Sequence, residues 1–437
     1  MEWPILLLIF FGSLCVLMIS GLPVAFCFLV IDIIGILILW GGQTGLNQFI
    51  HEIFGSVTKF TFLPVPMFIL MGEIMFHSGV APLMMKTLDK WLGRLPGRLS
   101  LLAVVSGTIL STLTGVSMAS VAMLGSVLVP QMEERGYKKS MSLGPILGSG
   151  GLAIMIPPSS LAVILGAIGE ISIGKILMAI IVPGLVMVVL YAGYIIIRCI
   201  LQPEIAPVYD VKVSSLKEKL LDSLFYIFPV AFIVFLVVGL ILLGMATPTE
   251  AAATGAFGCI IMAACYKKLN WTVIKRAFMG TLHITIMIFT IVVGASMFSQ
   301  ILAFSGATAG VTDFAAKLPV APIVIIIMMQ FIVLFLGCFM DVVAIMLVTL
   351  PIFVPLITSL GYDPVWFAVL MLINMEIAGI SPPFGLNLFV IKGVTPEDTT
   401  MGDIYRASIP FVLLSMMAMA IIMAFPKIAL WLPGLMH

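Results

Sequence analysis

GSGGLAIMIPPSS, residues 148–160, interrupts a hydrophobic run from Met141 to Ile168 that would otherwise read as one membrane helix. Glycine costs backbone entropy in a helix, and proline removes a donor and clashes with the preceding turn, so this stretch predicts a break. Irregular backbone at membrane depth persists only where it is buried in protein or lines a polar cavity. The stretch therefore reads either as a mid-membrane binding site or as a structural kink. Its recurrence favours a site. EIAGISPPFGLN follows at 376–387, and Pro157-Pro158 falls on Pro382-Pro383.

Composition sets the class. Of 437 residues, 62% are hydrophobic and 9% charged, against roughly a quarter charged in a soluble domain. The chain reads as an all-α polytopic membrane protein. The formal net charge of +1 and the lack of a basic cluster with interleaved aromatics give no sign of nucleic-acid binding. Six cysteines without CxxC spacing and four isolated histidines leave little from which to build a zinc site or a nucleophilic dyad. The amino end carries Glu2 in place of a basic n-region and reads as a retained first span, not a signal peptide.

Outward from the breaks, the chain divides into four units. N-terminal scaffold helices occupy 1–56, with a polar connection at 41–55. A first repeat, 57–200, holds an amphipathic interfacial arm (79–98), a long apolar run with the polar centre STLTGVS (99–131) and the first broken helix (141–167). Connecting scaffold helices cover 201–279. The second repeat, 280–437, holds a long run centred on GCFMD (320–358) and the second broken helix (365–391).

Each long run exceeds the ~20 residues of one crossing, so it reads as a re-entrant hairpin or as one broken crossing. With two hairpins, seventeen of the 21 lysines and arginines fall on one side, leaving Lys59, Lys175, Lys317 and Lys427 on the other. With single crossings, Arg135, Lys138 and Lys139 change sides and the split falls to fourteen against seven. The positive-inside rule selects the hairpins, about ten crossings and both termini outside. Ser78-Gly79 matches Ser305-Gly306, Leu95-Pro96 matches Leu318-Pro319, Pro130 matches Pro355 and Gly136-Tyr137 matches Gly361-Tyr362. An odd number of crossings between the copies inverts the second. Inverted repeats with paired interrupted helices mark secondary transporters, whose ligands lie at the repeat interface near the midplane.

Each copy would bring a tip and a break to that interface. The first offers hydroxyls at Ser111, Thr112, Thr114, Ser117 and Ser120 beside Gly115, with the break running from Gly148 to Ser160. Hydroxyls and freed carbonyls at negative helix ends suit a small hard cation such as Na⁺. Pro158, at the expected start of a half-helix followed by Ser159 and Ser160, turns a positive helix end toward an anionic group. The second copy offers Asp341 in its tip, and Asn374, Glu376, Gly379, Ser381 and Asn387 around its break. Asp341 admits cation ligation, helix capping or a buried pair; Glu376 admits a ligand role or a bond to freed amides. TPTEAAATGA (247–256) predicts a capped helix start with an alanine face for close packing.

Together, TPTEAAATGA, GSGGLAIMIPPSS, NMEIAGISPPFGLN and the GLPVAF turn (21–26) resemble the large membrane subunit of tripartite ATP-independent periplasmic (TRAP) transporters, over essentially the whole chain. The resemblance implies an elevator-type, Na⁺-driven importer of carboxylate-bearing solutes, typically C4-dicarboxylates or sialic acids, in the bacterial inner membrane. It implies two partners, a small four-helix membrane subunit (here a separate polypeptide) and a periplasmic substrate-binding protein. Carried over, the family's ion sites fall on Thr112 to Ser117 with Gly150, Gly151 and Pro157, and on Gly337 to Asp341 with Gly379, Ser381 and Pro382. Ser111, Ser159, Ser160, Glu376 and Asn387 remain for the solute. No catalytic residue or cofactor is expected.

The hairpin reading makes a directional prediction. Single cysteines replacing Lys138 and Lys212 should be labelled only from the cytoplasmic side of sealed cells, and those replacing Lys175 and Lys317 only from outside. Outside labelling at position 138 would return the first run to a single crossing.

Overall fold

The structure is a computed structural model describing residues 3–93, 95–114, 117–207, 209, 215–337 and 340–436, without the side chains of residues 111–114 and 316. All regular structure among these residues is helical. Seven helical stretches are long and apolar enough to cross a membrane, and five shorter apolar helices accompany them.

α1 (Trp3–Ile19) and α2 (Val24–Leu39) are joined by a turn in which Gly21 takes φ 86°, a conformation that a Cβ would strain. The expected polar connection at 41–55 is instead a helix, α3 (Gln43–Thr58). Gly45, Phe49 and Ser56 form a narrow buried stripe that the polar residues between them mask in the sequence. Glu52, on the same face, accepts hydrogen bonds from Ser56 and from Gln300.

α4 (Pro64–Ser78) ends at Gly79 in the left-handed conformation, and the arm α5 (Val80–Leu92) follows. α6 (Arg98–Thr114) and α7 (Ser117–Glu134) form the first hairpin. α8 (Lys139–Gly151) and α9 (Ser160–Ile168) are the halves of the first broken helix, followed by α10 (Ile173–Ala179) and α11 (Ile181–Leu201). The connecting unit holds α12 (Leu216–Asp222), α13 (Phe228–Leu242) and α14 (Pro248–Cys265). α14 starts with a capping box between Thr247 and Glu250, and its Gly255 packs against Val237 and Met71, so the expected close approach is present.

α15 (Trp271–Phe304) opens the second repeat. The boundary expected between 279 and 280 falls inside it, because Asn270 caps the helix at the Val273 amide (2.9 Å) and Lys275 and Arg276 occupy its polar first turns. Gly306 ends it, again left-handed, before the short arm α16 (Ala307–Ala316). α17 (Pro322–Gly337) and α18 (Val342–Ser359) form the second hairpin, and α19 (Pro364–Ile380) and α20 (Leu386–Val394) the second broken helix. α21 (Met401–Ala424) and the short α22 (Lys427–Leu430) close the chain.

The matched positions share their backbone. Gly79 and Gly306 (φ 68° and 75°) and Gly136 and Gly361 (75° and 78°) end equivalent helices, and both Pro-Pro bonds are cis. Each hairpin packs on the first half of its own broken helix. The second halves cross over: α9 packs against α18, and α20 against α7. Around these elements, α2, α4, α13, α14 and α15 pack together as a separate scaffold layer.

Candidate functional site

The cross-over brings all four interrupted elements to one point. A cavity of about 100 Å³ is lined by Ser117 and Met118 at the start of α7, Ser160 and Leu161 of α9, Asp341 to Val343 of α18, and Leu386 and Asn387 of α20. Four helix amino ends, each carrying partial positive charge, therefore meet one space. The remaining wall comes from Ile154, Met375, Glu376 and Gly379 at the ends of the first half-helices, and from Ile69, Ile284, Met287 and Ile288 of the scaffold. No lysine or arginine lines it among the described residues.

The polar groups here are mutually engaged. Asn387 Nδ2 donates to Ser117 Oγ (2.6 Å), linking the second break to the first hairpin tip. Asp341 caps α18, its Oδ2 accepting from the Val343 amide (3.0 Å), so the capping alternative describes its contacts in this structure. Ser159 caps α9 at the Ala162 amide (3.3 Å). This corrects the expected helix start at Pro158: the hydroxyl cap sets the first helical residue two positions on, at Ser160, and leaves both prolines outside.

The glycines differ more from expectation. α8 runs unbroken through Gly148, Gly150 and Gly151, and the chain departs from α geometry only beyond Gly151, in a 3-10 turn at Leu152–Ile154. These glycines serve contact instead. A Cβ on Gly148 would strike Phe411, one on Gly150 would strike Val121, and one on Gly151 would lie 2.5 Å from Glu376 Cγ. The carbonyls of Ser149 and Gly150 already accept from the Leu152 amide. In the second copy, Gly337 abuts Ala378, Gly379 leaves room for the Asn387 amide, and Ser381 O accepts from Gly385 N (3.0 Å). Gly150, Gly151, Pro157, Ser159, Gly337, Ser381 and Pro382 shape the surroundings without lining the cavity. Gly115 lies outside the described residues. Ser111, Thr112 and Thr114 belong to α6 by their backbone, their side chains lying outside the description.

Two candidates lie within the intact helix α19. Asn374 turns away from the cavity and donates to Gln330, at 2.7 Å to the main-chain oxygen and 2.9 Å to Oε1. Glu376 is buried at 1% exposure, and Tyr191 of α11 donates to its Oε1 (2.8 Å). The Tyr191 oxygen lies 2.6 Å from Ser415 Oγ of α21. Glu376 Oε2 has no partner among the described residues. Tyr191 and Ser415 escape sequence reading because each stands alone in an apolar run, and only packing joins them to Glu376.

The comparisons with known proteins agree with this architecture. The family model "Tripartite ATP-independent periplasmic transporter, DctM component" matches residues 11–428. The C4-dicarboxylate TRAP transporter large permease protein DctM of Pseudomonas aeruginosa is 30% identical over 88% of each chain. The sialic acid TRAP transporter large permease protein SiaM of Vibrio cholerae is 27% identical over 96% of each. Among solved structures, MtrF of Neisseria gonorrhoeae, described as one of a class of antimetabolite efflux pumps, superposes with a TM-score of 0.61 at 16% identity. That match covers 90% of this chain and 85% of that one. This last likeness concerns the fold alone.

Tyr191→Phe keeps the ring and removes the hydroxyl. Leaving the buried Glu376 carboxyl without its donor should cost about 1–3 kcal/mol, read as a lower thermal midpoint of the purified protein. In a Glu376→Gln background the same change should cost less, and equal costs would show that the two groups are not coupled.

Proposed function

Since the chain belongs to the DctM component family of TRAP transporters, we propose that it carries a carboxylate-bearing solute of the C4-dicarboxylate or sialic acid type inward across the bacterial inner membrane, coupled to Na⁺. The observation that carries this reading is the meeting of four helix amino ends at one cavity with no lysine or arginine in its wall among the described residues. Such ends attract a carboxylate through oriented amides and partial charge. The neighbouring half-helix ends at Ile154 and Gly379, with Asp341, offer the opposite polarity to Na⁺. An anion then binds poorly until Na⁺ is in place, and this links the two fluxes.

The wall formed by Ile69, Ile284, Met287 and Ile288 offers the site no hydrogen bond. That suits an elevator motion in which hairpins and broken helices slide past α4 and α15. A small membrane subunit and a periplasmic binding protein complete the proposed system, with both termini of this chain on the periplasmic side.

The test is uptake in proteoliposomes holding this chain and the small subunit, with binding proteins each loaded with a different acid. Uptake should require the loaded binding protein and follow an imposed Na⁺ gradient. Uptake driven equally by a pH gradient without Na⁺ would overturn the coupling.

Asp341→Asn separates charge from capping. Asparagine caps about as well as aspartate, so α18 should persist while any bound cation loses a counter-charge. A loss of even ~1.4 kcal/mol raises the Na⁺ concentration for half-maximal uptake about tenfold. An unchanged Na⁺ titration would confine Asp341 to its cap.

A further inference from the structure

Away from the cavity, the arm α5, α12, the end of α14 and the first turns of α15 form one surface. Lys90 of the arm α5 pairs with Glu218 and Asp222 of α12. Trp91 Nε1 donates to Ser223 Oγ (2.8 Å), and the Lys219 ammonium lies 5.8 Å from the Trp91 ring centre. Tyr266, just past α14, donates to the Phe225 carbonyl, and its ring lies 5.9 Å from that of Tyr226. α15 begins a few residues later at Trp271.

The acids on this surface are engaged within the protein: Glu218 and Asp222 by Lys90, and Asp89 by Arg98 (2.7 Å). The exposed cations are not. Among the described residues, Lys86, Lys217, Lys267, Lys268, Lys275 and Arg276 are exposed and form no ion pair. Beside them stand the exposed rings of Trp91, Phe225 and Trp271, the last 76% exposed. Leu221, Leu224 and Phe228 carry the apolar surface on toward the span of α13.

Unpaired cations bordering exposed aromatics and leucines make a membrane–water interface. A protein partner is the poorer fit, because the cores of protein interfaces are depleted in lysine. We propose that this face binds anionic phospholipid, with headgroup phosphates among Lys217, Lys267, Lys268, Lys275 and Arg276 and acyl chains along Leu221, Leu224 and Phe228. Bound lipid would hold the arm and the start of the α12–α13 span at one depth. The inference rests on the chain being a membrane protein and not on the solute it carries.

The test uses the full chain in phosphatidylcholine vesicles containing either brominated phosphatidylglycerol or brominated phosphatidylcholine, with tryptophan emission as readout. The anionic lipid should quench more strongly, and Trp91→Phe with Trp271→Phe should abolish the difference. Replacing the five cations with glutamine should also abolish it, each contributing up to about fivefold, while the thermal midpoint in plain phosphatidylcholine stays unchanged. Added salt should weaken the preference in the native chain, which keeps the test decisive if the fivefold variant fails to fold. Equal quenching by both lipids, or a preference that survives the substitutions or the added salt, would overturn the proposal. So would displacement by inorganic phosphate, which marks a free-anion site, or loss of the preference when the small subunit binds, which marks a protein interface.

Discussion

At membrane depth a helix end is an electrostatic problem, because its free amides or carbonyls find no water. Two broken helices and two hairpins create several such ends in this chain. The fold answers by exchange: α9 leans on the hairpin of the second repeat and α20 on that of the first. Gly125 permits the second approach, since a Cβ there would lie 2.8 Å from Val394 Cγ2. The exchange sets four amino ends around one cavity, two of them capped from within their own repeat, α9 by Ser159 and α18 by Asp341. The Asn387–Ser117 bond joins the two repeats across that cavity.

Backbone symmetry does not extend to chemistry. The paired glycine turns and cis Pro-Pro bonds repeat closely, yet among the described residues the first copy gives the cavity the hydroxyls of Ser117 and Ser160. The second gives Asp341, Glu376 and Asn387. The two-fold frame therefore carries acidic side chains from the second copy and hydroxyls from the first, among the described residues.

Loops between the helices tie the frame together. Lys139, at the start of α8, bonds Asp398 in the loop before α21 (2.7 Å) and holds its carboxyl below the usual range. Nearby, the Tyr137 hydroxyl accepts from the Leu99 amide, and burial pushes its pKa up to about 12. Lys138 N donates to Ile205 O (3.0 Å), so the link leaving α11 is fastened across the first repeat. Further on, Lys90 holds α12 to the arm. The connecting segment is therefore anchored twice on the first repeat, at the start of α8 and at the arm.

Much of this was legible in the chain. Hydrophobic run lengths gave the membrane class, the matched Ser-Gly, Gly-Tyr and Pro-Pro pairs gave the duplication, and Thr247-Pro248-Thr249-Glu250 gave a helix start, because each depends on local backbone chemistry. Residues 41–55 misled, since the helix there buries only the narrow stripe of Gly45, Phe49 and Ser56, with Gly45 closing on Ile36 and Trp40. The glycines of 148–151 looked like a break, yet they are thin places where Phe411, Val121 and Glu376 press against an intact helix. Whether glycine loosens a helix or lets a neighbour close on it depends on what stands opposite. That, like the joining of Tyr191 and Ser415 to Glu376, is fixed by residues far away in sequence and decided only by tertiary packing.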